Sequence, residues 1–149
     1  MRNPFSKKEE KAMELLTARQ REQLLANGKA TAAALKDGKD QPEHFPVVKL
    51  FNPVGAGTWL LSELDPDYPD IGFALCDLGM DCAELGNVSL AEFASIRLPF
   101  GMRIEADRHW TATHPLTVYA RAAWKVDHIV TDRASLDAAA ATVAAKAEA

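Results

Sequence analysis

The middle of the chain alternates short apolar runs with clusters of Pro, Gly, Asn and Asp. Apolar runs rich in β-branched and aromatic residues and bounded by such turn formers are typical of β-strands. The pattern predicts five strands, over residues 47–51, 58–64, 71–78, 82–88 and 102–110. The first four follow one another through short loops without intervening helices, which favours an antiparallel meander over parallel βαβ units.

Helical signals come before the predicted strands. Thr17 is a credible N-cap, and Asn27-Gly28 is a typical stop signal, so the pattern predicts a helix over residues 17–28. Residues 30–35 extend or restart this helix. One apolar stripe along it is formed by Leu15, Leu16, Leu24 and Leu25.

Further helices are indicated after the fourth strand. Ser89-Leu-Ala-Glu92 fits a capping box and predicts a short helix over residues 90–96. Thr113 as cap, with Pro115 in the first turn, predicts a helix over residues 113–123. Residues 134–148 are rich in alanine, which gives high helix propensity but little to bury. We expect this last helix to fray or to dock on a partner chain.

These elements predict an α+β fold with a single domain. We expect a twisted antiparallel sheet of about five strands, with an N-terminal helix and short C-terminal helices packed against it. A partly closed barrel is an alternative, because sheet edges need protection. The predicted organisation is a flexible lead-in over residues 1–16, the domain over residues 17–130 and an Ala-rich helix or frayed tail over residues 131–149.

Composition narrows the class of protein. The chain has 149 residues, 48% of them hydrophobic, which suits one globular domain. Its net charge of −4 argues against nonspecific binding of nucleic acid, and no apolar run reaches the length of a membrane span. The only two cysteines, Cys76 and Cys82, and the absence of a secretory signal indicate a reduced, cytoplasmic protein. A disulfide between them would close a very short loop.

Charge is strongly segregated along the sequence. Residues 50–96 contain no Lys, Arg or His but carry eight carboxylates, whereas residues 1–39 carry nine Lys and Arg against five acids. A surface of one sign attracts a partner of the opposite sign. The acidic stretch therefore predicts either a basic partner or packing against the basic front of the chain, within one molecule or between two.

Several segments together resemble a known family. They are Pro46-Val-Val-Lys-Leu-Phe51, Ala56-Gly-Thr-Trp-Leu-Leu-Ser-Glu-Leu-Asp-Pro66, Phe73-Ala-Leu-Cys-Asp-Leu-Gly79 and Glu84-Leu-Gly-Asn-Val-Ser-Leu90. With the helix of residues 15–28, they resemble the domain-of-unknown-function family 2958 over roughly residues 14–123. The resemblance implies a small bacterial protein carried on plasmids and integrative elements near transfer, replication or antirestriction genes. It implies no established activity and no established catalytic residues.

The leading functional hypothesis is a non-enzymatic accessory protein of a mobile genetic element. It would dock a basic protein partner, such as a nucleic-acid-processing protein, through an acidic face, and would need no cofactor and no membrane. A DNA-mimic or antirestriction-like action is one version. The expected partner-binding residues are Glu63, Asp65, Asp67, Tyr68, Asp70, Asp81 and Glu84.

The alternative is a metal-dependent hydrolase or nuclease. Asp65, Asp67 and Asp70 would be metal ligands, because hard cations prefer oxygen ligands, and His109 or Asp77 would carry acid–base chemistry. Phosphates would be held by Arg97, Arg103, Arg108 and Arg121. The plainer interpretations are a solvated turn at residues 65–70, an Asp77 that caps the following turn, and a His109 at a surface strand end.

Overall fold

The computed structural model describes Pro4, Ser6, Lys7 and residues 15–148. Its helices are α1 (Ala18–Lys36), α2 (Leu90–Ser95), α3 (Leu116–Val126) and α4 (Arg133–Glu148), with a 3₁₀ turn at Pro99–Gly101. Its strands are β1 (Val48–Phe51), β2 (Thr58–Leu64), β3 (Ile71–Asp77), β4 (Ala83–Ser89) and β5 (Glu105–Ala106). Most of the lead-in predicted over residues 1–16 lies outside the described residues.

The five strands form one open antiparallel sheet in the order β4-β3-β2-β1-β5. The predicted meander is therefore confirmed, and so is the α+β class. In the part of the chain that the structure describes, β4 and β5 are the two sheet edges, so the sheet is not closed into a barrel.

The fifth strand is much shorter than the predicted span of residues 102–110. Only Glu105 and Ala106 pair with β1, and one more backbone bond runs from the Asp107 N–H to the carbonyl oxygen of Lys49. The Asp107 carboxylate then accepts the backbone N–H of His109 at 3.0 Å. This local turn bends the chain away from the sheet, because a side-chain acceptor replaces a strand partner.

Helices cover both faces of the sheet, and each face has its own core. On one face, Leu24 of α1 and Phe93 of α2 pack with alternate residues of the strands, and Trp59 meets Phe93 edge to face with ring centroids 4.9 Å apart. On the other face, the core combines Leu60 and Leu75 with α3 and with Leu136 of α4. The sheet is therefore held from both sides by apolar burial.

Helix α1 begins as predicted but does not stop at Asn27-Gly28. Thr17 caps it in a full capping box with Gln20, and the helix continues to Lys36. Asn27 donates its side-chain amide to the carbonyl oxygen of Ser62 at 2.9 Å, and Gly28 lies directly against the Leu64 backbone. The predicted stop was wrong, because these two residues serve a contact with β2 instead of ending the helix, and the expected extension over residues 30–35 is confirmed.

The later helices differ from prediction in detail. Ser89 caps α2 by accepting the Glu92 N–H at 3.2 Å, as predicted. Thr113 does not cap α3, which begins at Leu116 with Pro115 in the cap position and ends at Val126. The Thr113 hydroxyl is instead 2.7 Å from Nδ1 of His114. The Ala-rich helix is confirmed, and Leu136 anchors it in the core of its own chain.

None of the described helices combines the length and the apolar character that crossing a membrane requires.

Candidate functional site

The acidic stretch does not form one continuous surface. The loop of residues 65–70 enters β3 and the turn of residues 78–82 leaves it, so the two lie at opposite ends of a seven-residue strand. At roughly 3.3 Å per residue, they are about 20 Å apart. We call residues 65–70 the loop surface. Residues 78–84 together with residues 124–127 are called the tip surface.

The loop surface is exposed, and local hydrogen bonds define its turn. One carboxylate oxygen of Asp65 accepts the backbone N–H groups of Asp67 and Tyr68, at 2.8 and 3.2 Å. Tyr68 leaves 70% of its area exposed. Glu63 lies beside this loop in β2, half-buried and paired in register with Phe73. The loop therefore presents Asp67 and Tyr68 outward on a turn that Asp65 holds in place.

Asp70 is committed to capping helix α2. Its carboxylate accepts the Ser89 hydroxyl at 2.7 Å and the Ala91 N–H at 2.9 Å, and its carbonyl oxygen accepts the Leu90 N–H. A carboxylate is favourable at a helix N-terminus because it satisfies orphan N–H donors. Asp70 thus fixes the junction between β4 and α2, in addition to any contact with a partner.

Asp77 is a buried structural carboxylate. One oxygen accepts the Gly79 N–H at 2.9 Å and the other accepts the Ile129 N–H at 3.0 Å. The first bond is the turn cap that the plainer interpretation predicted. The second ties the segment after α3 to the end of β3, so Asp77 orders the tip surface from beneath.

The tip surface joins two segments that are distant in the sequence. The indole N–H of Trp124 donates to the carbonyl oxygen of Ala83 at 2.9 Å. Beside this contact, Cys82 donates its thiol to Glu84 at 3.2 Å. That hydrogen bond and the Glu84 charge, with a smaller contribution from Asp127, raise the pKa of the Cys82 thiol. The C-terminal end of α3 therefore lies against the β3–β4 turn.

Exposed apolar side chains and carboxylates share the tip surface. Leu78, Met80, Trp124 and Val126 leave 54%, 75%, 52% and 44% of their areas exposed. Three exposed carboxylates, those of Asp81, Glu84 and Asp127, accompany them, with Lys125 as the one cation of these two segments. Apolar anchors in a charged surrounding are typical of protein-binding surfaces.

No described cation forms a salt bridge with a carboxylate of either acidic surface. Among the described residues, the one contact between a basic and an acidic side chain within salt-bridge distance is that of His114 with Asp137, at 2.9 Å. Described cations of the basic front, such as Arg19, Arg21 and Lys29, make no salt bridge with the acidic stretch. Helix α1 of the basic front does pack on β2 of the acidic middle, as the sequence suggested, but through Leu24, Asn27 and Gly28 and not through ion pairs of residues 15–39.

The metal alternative needs carboxylates that converge beside His109, and this convergence is not present. Searching the described part of the chain, we find no group of three or more His, Cys, Asp or Glu side chains able to hold a metal ion. His109 lies beyond the β5 edge of the sheet, where it lines a cleft with Arg103 and Arg108. Arg121 lines a different cleft, between α3 and α4, and Arg97 is exposed.

Sequence reasoning missed half of the tip surface. Asp81 and Glu84 were expected to contact a partner, but Trp124, Val126 and Asp127 were not. The available signal was Met80, an apolar residue in a polar turn, whereas Leu78 was assigned to the third strand, which in the structure ends at Asp77. Trp110 is half-buried and packs on Tyr119 with ring centroids 5.8 Å apart, so it does not belong to either surface.

A family model described as "Protein of unknown function (DUF2958)" matches residues 15–130. No curated protein and no solved structure shows significant similarity to the chain.

Proposed function

Because the chain belongs to the DUF2958 family of proteins of unknown function, we propose a role from its surfaces: it is a non-enzymatic interaction protein that docks a basic protein partner. The tip surface is the main docking site. The loop surface is a second, smaller acidic contact that carries Asp67 and Tyr68.

The observation that carries this proposal is the composition of the tip surface. Four large apolar side chains are exposed there in the company of three carboxylates and a single ammonium group. Exposed Trp and Met side chains supply contact area in different ways. Trp buries a large apolar surface with few rotatable bonds, and the flexible Met side chain adapts its shape to a partner. Carboxylates without a described cation partner attract a basic protein and orient it before contact.

The partner proposed here is a nucleic-acid-processing protein of a mobile genetic element or of its host. Such proteins carry basic grooves for phosphates. An acidic surface that competes for such a groove would act as a DNA mimic, and antirestriction is one form of that action. Two acidic surfaces about 20 Å apart, by the rise per residue along β3, could contact the same groove at two points.

Removal or reversal of charge at each surface tests the proposal. The tip variant combines Glu84→Lys with Asp81→Asn and Asp127→Asn at three exposed positions, because Asn tolerates the positive φ of 56° at Asp81 and 65° at Asp127. The loop variant combines Asp67→Lys with Tyr68→Ala. It leaves Asp65 and Asp70 unchanged, because their carboxylates hold the turn and cap α2.

The measurement is capture of proteins from a bacterial lysate at graded salt, followed by identification of what is captured. We expect a basic protein whose capture falls as salt rises, is lost with the tip variant and is only weakened with the loop variant. Hydrogen exchange of the purified pair should then protect residues 78–84 and 124–127. Capture that survives the tip variant, or a captured protein without a basic surface, would contradict the proposal.

A further inference from the structure

A cleft of about 600 Å³ lies at the β5 edge of the sheet. It is bounded by the segment of residues 103–109, by Phe93 and Ala94 of α2, by Phe51 at the end of β1 and by Leu15. Its volume is within the range of small-molecule sites, which is roughly 300–1,000 Å³. Because β5 and β4 are opposite edges of the sheet, this cleft is separate from the tip surface.

The cleft combines apolar residues with cationic ones. Phe93 and Ile104 are core residues that also line it, and Phe51 and Leu15 add further apolar surface. Arg103, Arg108 and His109 line the same cleft. An apolar wall with a few convergent polar groups is the usual composition of a site for a small organic ligand.

Arg103 is held in place at the wall of the cleft. It is half-buried, and its guanidinium donates to the carbonyl oxygen of Ala94 near the end of α2, at 3.4 Å. Arg108 is exposed on the turn that follows β5. A guanidinium presents several N–H donors in one plane, and a carboxylate or phosphate accepts two of them at once.

Two carboxylates also line the cleft, and their contacts determine whether the arginines are free to bind an anion. Asp107 uses one oxygen to accept the His109 N–H, so it is engaged in its own turn. Glu105 is exposed in the edge strand β5. Neither lies within salt-bridge distance of a guanidinium in the described part of the chain. Neither arginine is therefore engaged in a salt bridge with these carboxylates, and guanidinium N–H donors remain available to a ligand.

We propose that this cleft binds a small organic anion. Its phosphate or carboxylate head group contacts Arg103 and Arg108, and its apolar body packs against Phe93 and Ile104. The inference does not depend on the docking function, since it concerns the opposite edge of the sheet.

The test uses the full chain, labelled with ¹⁵N, and follows amide shifts at constant ionic strength. The probes are phenyl phosphate and benzoate, which carry both parts of the ligand, and inorganic phosphate and phenol, which carry one part each. The variants are Arg108→Gln and the double variant Arg103→Gln/Arg108→Gln. Arg108→Gln alone keeps the Arg103 contact with Ala94, so it preserves the fold even if the double variant does not.

We expect saturable shifts confined to residues 93–94 and 103–109 with phenyl phosphate or benzoate. The stronger of the two probes identifies the head group. Loss of a charged hydrogen bond should weaken binding about tenfold or more in the arginine variants. Arg121→Gln, which removes an arginine from α3, should bind as the unchanged protein does.

Each of the following results would overturn the proposal. The first is the absence of saturable shifts with either two-part probe. The second is equal binding of inorganic phosphate, which would mean that the apolar wall contributes nothing. The third is binding of phenol as strong as that of phenyl phosphate, or binding that Arg108→Gln leaves unchanged, because either would remove the role of charge.

Discussion

Gly28 in the middle of α1 lies against the backbone carbonyl of Leu64 in β2, so closely that a β-carbon on Gly28 would overlap that oxygen. The neighbouring Asn27 donates its amide to Ser62, two residues before Leu64. These adjacent contacts bring the helix onto β2 just where that strand ends and the loop surface begins. The pair thus positions the acidic loop relative to the rest of the fold.

Substitution of Gly28 by Ala should therefore destabilise the protein. In a helix free of such contacts the change would be favourable by about 1 kcal/mol, because Ala has the higher helix propensity. Here the overlap forces the helix away from β2, and we expect a net loss of about 2 kcal/mol in the free energy of unfolding. The measurement is urea denaturation followed by circular dichroism.

The matched control is Gly86→Ala in β4. A β-carbon at Gly86 meets no atom within 4 Å, and its backbone has no positive φ. We expect this change to be neutral or stabilising by about 0.5 kcal/mol. A stabilising effect at Gly28 would show that α1 does not pack on β2 as described.

Asp77→Asn should lower the stability of the protein, because Asp77 holds the segments that form the tip surface. Each Asp77 oxygen accepts a backbone N–H, from Gly79 and from Ile129. Asn retains one acceptor oxygen and places an NH₂ group against the other donor, so a loss of about 1–3 kcal/mol in stability is expected. Asp81→Asn is the control, because Asp81 is exposed and has a φ of 56° that Asn tolerates. Equal effects of the two changes in thermal unfolding would refute the role given to Asp77.

The sheet could be predicted from the sequence because its signals are local. Each of the first three strands is a largely apolar run between turn formers, and short loops leave antiparallel pairing as the simplest connection, also for the more polar β4. The end of α1 could not be predicted in this way. Asn27-Gly28 has the composition of a helix stop, but its residues are required by a contact with β2 that only the tertiary structure supplies.

The candidate site was predictable only in part, for a similar reason. The excess of carboxylates is a property of composition, and it was visible without a structure. The separation of Asp67 from Asp81 depends on the length and direction of β3. The arrival of Trp124 beside Ala83 depends on how α3 crosses the sheet. Sequence spacing of more than 40 residues carries no signal for such a contact.

Leu136 is a core residue although it lies in the Ala-rich helix. It is fully buried against α3, and the Asp137 beside it contacts His114. We expect Leu136→Ala to cost about 2–4 kcal/mol in the free energy of unfolding, as is usual for buried leucines. Leu35→Ala is the control, since Leu35 is exposed near the end of α1 and should change stability by less than about 0.5 kcal/mol. A similar, small effect at both positions would mean that α4 does not dock on its own chain.

Cys82 should react slowly with alkylating reagents despite its exposure. The hydrogen bond and charge of Glu84 raise the pKa of its thiol, so a smaller fraction is thiolate at neutral pH. Glu84→Gln removes the charge and should lower that pKa, which makes iodoacetamide react faster at pH 7.5 and moves the midpoint of the rate profile to lower pH. Mass spectrometry of the Cys82 peptide gives the rate, and it separates Cys82 from the half-buried Cys76. Glu92→Gln, at the other end of the sheet, should change nothing; an unshifted midpoint in Glu84→Gln would show that Glu84 does not control the thiol.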